Sequence, residues 1–138
     1  MIRRLSAGYS GGAFGALISS LALWAAGSAG LTAWFGVAIQ PALSFEWLGP
    51  RILWGGLFGL GFPWAARRIS GTLRAGLVLS LVPSAVELFY TLPRGGHQML
   101  GVDLGALTPI VVLLENAVWG AVLARTVRAL GEASPPPD

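Results

Sequence analysis

The sequence predicts an all-α fold, a bundle of four transmembrane helices with both termini in the cytoplasm. Hydrophobic residues make up 54% of the 138-residue chain, charged residues only 11%, and the apolar residues fall into four long runs. A soluble domain carries roughly 25% charged residues to keep its surface hydrated. The composition therefore disfavours a soluble enzyme and a nucleic-acid-binding protein, and indicates one domain that is solvated by lipid.

The four apolar runs predict helices at about residues 11–39, 48–66, 73–92 and 104–124. A membrane-spanning helix needs about 20 mostly apolar residues. The first run contains no charge and would be about 40 Å long as a helix, so we expect it to tilt or to leave one end at the interface. The prediction is a single membrane domain over residues 1–130, followed by a disordered tail, 131–138, that is polar and rich in proline.

Prolines mark where these helices bend. Pro50 stands near the start of the second run, where a missing N–H group costs little, and Pro63 falls in its last turn. Pro83 lies in the middle of the third run, where we expect a kink rather than a break because neighbouring groups in the bundle satisfy the freed carbonyl. Pro109 lies in the first turns of the fourth helix.

The arginines predict the orientation. All nine basic residues are arginine, and they stand at the ends of the apolar runs. With both termini inside the cell, the cytoplasmic ends hold Arg3, Arg4, Arg67, Arg68, Arg74, Arg125 and Arg128, and the outer side holds Arg51 and Arg94. Seven arginines against two fit the positive-inside rule, and an even number of spans agrees with it. The expected location is the bacterial inner membrane, as a multi-pass protein.

A second interpretation of the N-terminus stays open. Arg3 and Arg4, followed by an apolar stretch and the small residues of 25–29, resemble a secretory signal with a cleavage site. The apolar run continues through Ile39 without a charged break, which favours an uncleaved first helix.

Small residues recur every four positions and predict close helix packing. Helices in lipid associate through close packing, which small residues allow. The spaced positions are Gly8, Gly12, Ala16 and Ser20, Gly11 and Gly15, Gly55 and Gly59, Gly101 and Gly105 at the entry to the fourth helix, and Gly120 and Ala124 at its exit. They favour packing within one bundle; docking of another subunit or a second copy is the alternative.

Two carboxylates, Glu87 and Glu115, lie inside predicted spans and are functional candidates, because an ionisable group at such depth is costly unless it is paired or neutralised. We estimate the height of each residue above the cytoplasmic end of its helix, counting about 1.5 Å per residue from the arginine at that end. Arg51 then lies about 24 Å and Glu87 about 20 Å above the cytoplasmic end. This predicts an Arg51–Glu87 ion pair between the second and third helices.

Glu115 lies about 15 Å up by the same count, with no cation at its depth and Asn116 beside it. It could be neutralised by protonation, by a partner's cation, or by a hydrogen bond to Ser19, Ser20, Thr32 or Ser84. A functional alternative is a proton or cation site in which Glu87 and Glu115 act in succession.

The loop before the fourth helix is the most polar segment, with Arg94, His97, Gln98 and Asp103 as candidates for a small outer site. His97 and Asp103 fall short of a metal ligand set, and the chain has no cysteine. A haem or other pigment ligated by His97 is a weaker alternative. The sequence predicts no catalytic set, no metal and no resident cofactor.

Two motifs resemble those of small uncharacterised bacterial membrane proteins with four spans. They are Leu53-Trp-Gly-Gly-Leu-Phe-Gly59 in the second helix, and Gly101 to Pro109 followed by Asn116-Ala-Val-Trp-Gly120 in the last. The resemblance covers roughly residues 10 to 125 and implies the fold and the location, with no assigned chemistry. Other members often carry histidine near the position of Glu115 and Asn116.

The expected function is therefore that of a non-enzymatic accessory or scaffolding subunit of a membrane complex. Its expected partners are the lipid bilayer and other membrane subunits or further copies of itself, with no nucleic acid. The alternatives are a small transporter or proton- or cation-conducting protein that uses Glu87 and Glu115, and a pigment- or metal-binding subunit based on His97.

Overall fold

A computed structural model describes residues 1–132, which are helical with connecting turns and contain no strand. Most of the predicted tail, residues 133–138, lies outside the described residues. Positions 131 and 132 belong to the last helix rather than to a tail, since that helix ends at Glu132.

The chain forms eight α-helices in the described residues, joined by one π-helical and one 3₁₀ segment. The first half contains α1 (Ile2–Ser28), α2 (Leu31–Trp34), α3 (Phe45–Gly59) and α4 (Phe62–Arg68). The second half contains α5 (Thr72–Leu79), α6 (Leu81–Val86), a π turn (Glu87–Thr91), α7 (Leu92–Arg94), a 3₁₀ turn (Met99–Leu104) and α8 (Thr108–Glu132).

Within residues 1–132, three helices are long and apolar enough to cross a membrane: Ile2–Ser28, Thr72–Arg94 and Thr108–Gly131. The second of these is the continuous rod made of α5, α6, the π turn and α7, called the α5–α7 helix below. The run predicted at 48–66 is instead split between α3 and α4. Pro63 has no N–H for the carbonyl of Gly59, so the helix is interrupted at Leu60 and Gly61 and neither piece reaches membrane length alone.

The first helix lies closer to the N-terminus than the predicted range of 11–39. It begins at Ile2, because arginine is a good helix former and Arg3 and Arg4 extend the helix. It ends at Ser28, before Gly30, whose φ of 78° is left-handed and therefore favours glycine.

Pro83 lies near a discontinuity between α5 and α6 but does not break the rod, as predicted. The hydroxyl of Ser84 donates to the carbonyl of Ser80 at 2.8 Å, and the hydroxyl of Ser80 donates to the carbonyl of Leu77 at 2.7 Å. Further along, the N–H of Leu92 donates to the carbonyl of Glu87, which is the wider π pattern. Such π turns are rare and often occur at functional sites.

The last helix begins at Thr108 rather than at residue 104, and it runs past 124 to Glu132. Gly101 (φ 64°) and Gly105 (φ 141°) therefore lie in the preceding turn and not in the helix, contrary to the prediction. Gly105 packs against the backbone of Gly36, and the N–H of Ala38 donates to the carbonyl of Leu104 at 2.7 Å. These contacts hold the loop after α2 and the loop before α8 at the same end of the bundle.

Helix α1 lies at the centre, packed against α3 on one side and α8 on the other, and α8 also packs against α5. The contacts depend on glycine, as predicted. A methyl group on Gly12 would overlap the carbonyl of Gly55, and one on Gly76 would overlap the carbonyl of Gly120. The ring N–H of Trp119 donates to the carbonyl of Gly12 at 2.9 Å and joins α8 to α1. The glycine stripes of α1 and α3 are thus used within the chain.

We expect Gly12→Ala to lower the free energy of unfolding by about 1–3 kcal/mol, the usual cost of overpacking. Gly49→Ala is the matched control on α3, since the nearest atoms to its new methyl group would be those of the Phe45 ring at 3.5 Å. Denaturant titration of both variants in detergent, followed by circular dichroism, measures the difference. Equal stability of the two variants would contradict the glycine contact.

Candidate binding site

An ion pair joins α3 to α8 in the interior of the bundle. A guanidinium Nη of Arg51 donates to the carboxylate of Glu115, and Nε of Arg51 donates to the hydroxyl of Ser20 on α1 at 2.9 Å. The guanidinium also lies over the Trp47 ring, 5.0 Å from its centroid. One arginine therefore connects three helices.

This ion pair replaces the predicted one between Arg51 and Glu87. The prediction counted height from Arg125 for α8, but α8 continues to Glu132, so Glu115 lies about 25 Å from its true inner end. That height matches the value of about 24 Å predicted for Arg51. The conclusion that Glu115 has no cation at its depth was wrong for the same reason.

The carboxylate of Glu115 is buried, so its ion pair with Arg51 matters for the stability of the fold. The side chain of Glu115 is 5% exposed and that of Arg51 is 26% exposed. A carboxylate removed from water costs several kcal/mol unless a cation and hydrogen bonds compensate it. Arg51 supplies the cation, and the Glu115 carboxylate faces the interior of the bundle.

Glu87 lies beside this pair but has a different partner. The amide Nδ2 of Asn116 donates to the Glu87 carboxylate at 3.4 Å and to the carbonyl of Val112 at 3.1 Å. Within residues 1–132, Arg51 pairs with Glu115 and His97 pairs with Asp103. Glu87, which is only partly buried, thus has a weak amide donor and no cation at ion-pair distance within that range.

The other predicted hydrogen-bond partners of Glu115 are used locally. The hydroxyl of Ser19 donates to the carbonyl of Ala16, that of Ser84 to Ser80, and that of Thr32 to the carbonyl of Ile39. Ser20 alone of the four reaches the polar cluster, through Arg51.

A cavity of about 580 Å³ opens beside the cluster. Helix α3 forms one wall and the α5–α7 helix the other, while α1 and α8 form the floor. These two walls have no extensive contact with each other. The wall residues of α3 are Pro50, Arg51, Trp54, Gly55 and Phe58, and those of the other helix are Pro83, Val86, Glu87, Tyr90, Thr91, Arg94 and Gly95.

The cavity combines an apolar lining with a few polar groups. Ser20, Glu115 and Asn116 lie on its floor, and Glu87 lies on a wall among aromatic rings. Trp54 is 57% exposed, so its ring is available to an occupant, whereas the ring of Tyr90 is already engaged by Arg94. This size and lining are those of sites for small molecules, which measure roughly 300–1,000 Å³.

The outer-loop candidates form a separate, exposed arrangement. Nδ1 of His97 lies 2.8 Å from one oxygen of the Asp103 carboxylate, and the N–H of Gln98 donates to the other oxygen at 2.8 Å. The hydrogen bond from His97, and then that from Gln98, hold the pKa of Asp103 below its ordinary value. Arg94 instead lies over the Tyr90 ring, 5.7 Å from its centroid, and lines the end of the cavity.

Residues 1–132 contain no group of three or more histidine, cysteine, aspartate or glutamate side chains that could hold a metal ion. His97 and Asp103 are close together, as the sequence suggested, but they form a pair that closes the loop. Their hydrogen bonds pin Gln98 and the 3₁₀ turn that follows it.

A second cavity, of about 840 Å³, lies at the opposite end of the bundle. The start of α1, the end of α4 and the last turns of α8 line it, including Arg3, Arg4 and Arg67. The three chain segments predicted to face the cytoplasm therefore lie together. Glu87, Glu115 and Asn116 line the first cavity, which therefore carries the candidate functional residues.

Sequence reasoning missed the aromatic members of the site, Trp47, Trp54 and Tyr90. Trp47 and Trp54 lie on α3, four residues before and three residues after Arg51. Helical spacing puts such neighbours on one face, and this signal could have found them.

Comparison of the chain with protein-family models, with curated proteins and with solved structures found no match. The function of the chain is therefore inferred from the geometry of the cavity and from the charges that line it.

The single substitution Glu115→Gln should lower the free energy of unfolding by about 3 kcal/mol, because it leaves the guanidinium of Arg51 without its anion. We expect the double variant Arg51→Gln/Glu115→Gln to recover much of this loss, since neither charge is then left alone. A double-mutant cycle in detergent measures the coupling.

The control for this cycle is Glu46→Gln, in the exposed first turn of α3, which should change stability by less than about 0.5 kcal/mol. Additive effects of the Arg51 and Glu115 substitutions would contradict the ion pair.

Proposed function

We propose that the protein is an integral membrane protein with four membrane segments and both termini in the cytoplasm. The three long apolar helices supply three segments, and α3 with α4 supplies the fourth, Phe45–Arg68, as an interrupted helix. Such interruptions are tolerated in membranes where they are packed in protein. Phe62 and Pro63, at the interruption, are buried.

The orientation is supported by the charges at the two ends. Arg3, Arg4 and Arg67 line one end of the bundle, whereas Arg94 ends the α5–α7 helix and the loop of His97 follows it at the other end. The positive-inside rule assigns the first end to the cytoplasm. A bacterial inner membrane is the location we propose on this basis and on the resemblance described above.

Within that membrane, the proposed function is binding: the chain is a non-catalytic accessory subunit that holds a small amphiphilic molecule in the cavity between α3 and the α5–α7 helix. The observation that carries this proposal is the cavity itself, about 580 Å³ with a charged and amide-bearing floor under apolar walls. Polar groups without a partner at membrane depth cost free energy, and an occupant that forms hydrogen bonds or ion pairs with them offsets that cost.

A proton or cation conduit through Glu87 and Glu115 is the second candidate. It is favoured by Asn116, which bonds to Glu87 and follows Glu115 directly in the chain. The geometry supports it less, because Glu115 is engaged by Arg51 and the cation of that pair opposes the passage of another. Loss of flux from proteoliposomes in Glu115→Gln would favour the conduit.

Filling the cavity tests the binding function. Val86→Trp places an indole on the cavity wall, whereas Val82→Trp places one on the same helix at an exposed position outside the cavity. Native mass spectrometry of protein purified in mild detergent should find one small-molecule adduct per chain in the wild type and in Val82→Trp, and none in Val86→Trp.

The binding function would be contradicted by adducts of equal abundance in all three proteins, or by a wild-type chain that carries no adduct. Size-exclusion chromatography and circular dichroism confirm that both tryptophan variants remain folded and therefore that the comparison is between matched bundles.

A further inference from the structure

We propose that the occupant of the cavity is a lipophilic organic cation, a quaternary ammonium or phosphonium group on an apolar body, with Glu87 as its counter-ion. This inference rests on the proposed binding function and adds the chemical class of the ligand. Three observations carry it: the balance of charges in the cavity, the aromatic rings around Glu87, and the shape of the cavity.

Glu87 is the carboxylate of the lining that has no cation within ion-pair distance in residues 1–132. Arg51 and Glu115 neutralise each other, and the remaining acidic group of the lining is Glu87. The amide of Asn116 at 3.4 Å is a weak and neutral donor to it. Arg94 lies seven residues further along the helix, about 10 Å away along the axis, and engages the Tyr90 ring. Glu87 therefore presents a carboxylate that a cationic ligand can pair.

Aromatic rings stand where such a cation would lie. Trp54 on α3 faces the cavity from the wall opposite Glu87, and Tyr90 lies one turn beyond Glu87 on the same wall. Ring faces attract a cation, most strongly those of tryptophan, and the attraction grows when the site is desolvated. An anion placed beside Glu87 would face the carboxylate and the electron-rich ring of Trp54, while Arg51 is already paired and Arg94 lies about 10 Å away at the end of the cavity.

The shape of the cavity selects an apolar body. The lining of the α5–α7 helix extends from Pro83 to Gly95, about 18 Å along the axis, with Glu87 near one third of that length. Apolar side chains, including Val86 and Phe58, line much of the remainder. A bare metal ion or ammonium would leave this surface uncovered, whereas a lipophilic cation covers it and pairs Glu87.

Equilibrium dialysis of the purified chain in detergent, against detergent alone, tests the proposal with three probes of related shape. Tetraphenylphosphonium is the cation, tetraphenylborate is the anion and triphenylphosphine oxide is the neutral probe. We expect the cation to bind with a stoichiometry of one. Glu87→Gln should weaken this binding by about tenfold or more, the loss expected when one member of a close charge pair is removed.

Two variants distinguish the loss of the Glu87 charge from a loss of folded protein. Glu87→Asp keeps the charge and should retain most of the cation binding, and Glu46→Gln removes a carboxylate that lies outside the cavity and should leave it unchanged. Trp54→Ala should weaken binding of the cation by about threefold to tenfold, and it should affect the neutral probe less.

The proposal would be overturned if Glu87→Gln bound the cation as tightly as the wild type, or if the neutral or anionic probe bound more tightly than the cation. In that event, loss of probe binding in Val86→Trp would still support the cavity as a binding site, so only the ligand class would be wrong. Absence of binding by all three probes would also overturn it, and the adduct measured by native mass spectrometry would then decide the binding function separately.

Discussion

The ion pair between Arg51 and Glu115 is the interaction on which the arrangement of this protein depends. It joins α3 to α8, and the bond to Ser20 extends it to α1, so one guanidinium ties together the helices that form the floor and one wall of the cavity. A buried carboxylate requires such a cation. The glycine contact between α1 and α3 brings α3 close enough for Arg51 to reach across α1 to Glu115.

The same pair determines what the cavity offers to a ligand. Because Arg51 is committed to Glu115, Glu87 is left with the amide of Asn116, and the cavity keeps one carboxylate without a cation in the described part of the chain. The π turn that begins at Glu87 places this residue at a widened point of its helix. The position of α3, away from the α5–α7 helix, keeps the space in front of Glu87 open.

The sequence was sufficient for the helical class and for most of the polar residues, because both depend on local patterns. The apolar runs predicted four long helices, of which three have membrane length within residues 1–132, and the polar side chains inside the four runs identified Arg51, Glu87, Glu115 and Asn116. The pairing was predicted wrongly because it depends on where helices end. The end of α8 was set at the last apolar residue, but helix propensity carries the chain through Arg125 to Glu132. The cavity could not be predicted, because it arises where α3 and the α5–α7 helix do not pack against each other. No local sequence pattern indicates which helices lack such a contact.

In the proposed topology, α3 and α4 carry the chain from one side of the membrane to the other. The chain contains no cysteine, so single cysteines at exposed positions can be labelled without background. In intact cells, a membrane-impermeant maleimide should label cysteines that replace Gln40 and Gln98, and it should label those that replace Ser6 and Ser70 only after lysis. Labelling of positions 40 and 70 from the same side would contradict the account, because Arg51 and Glu115 would then not meet inside the membrane.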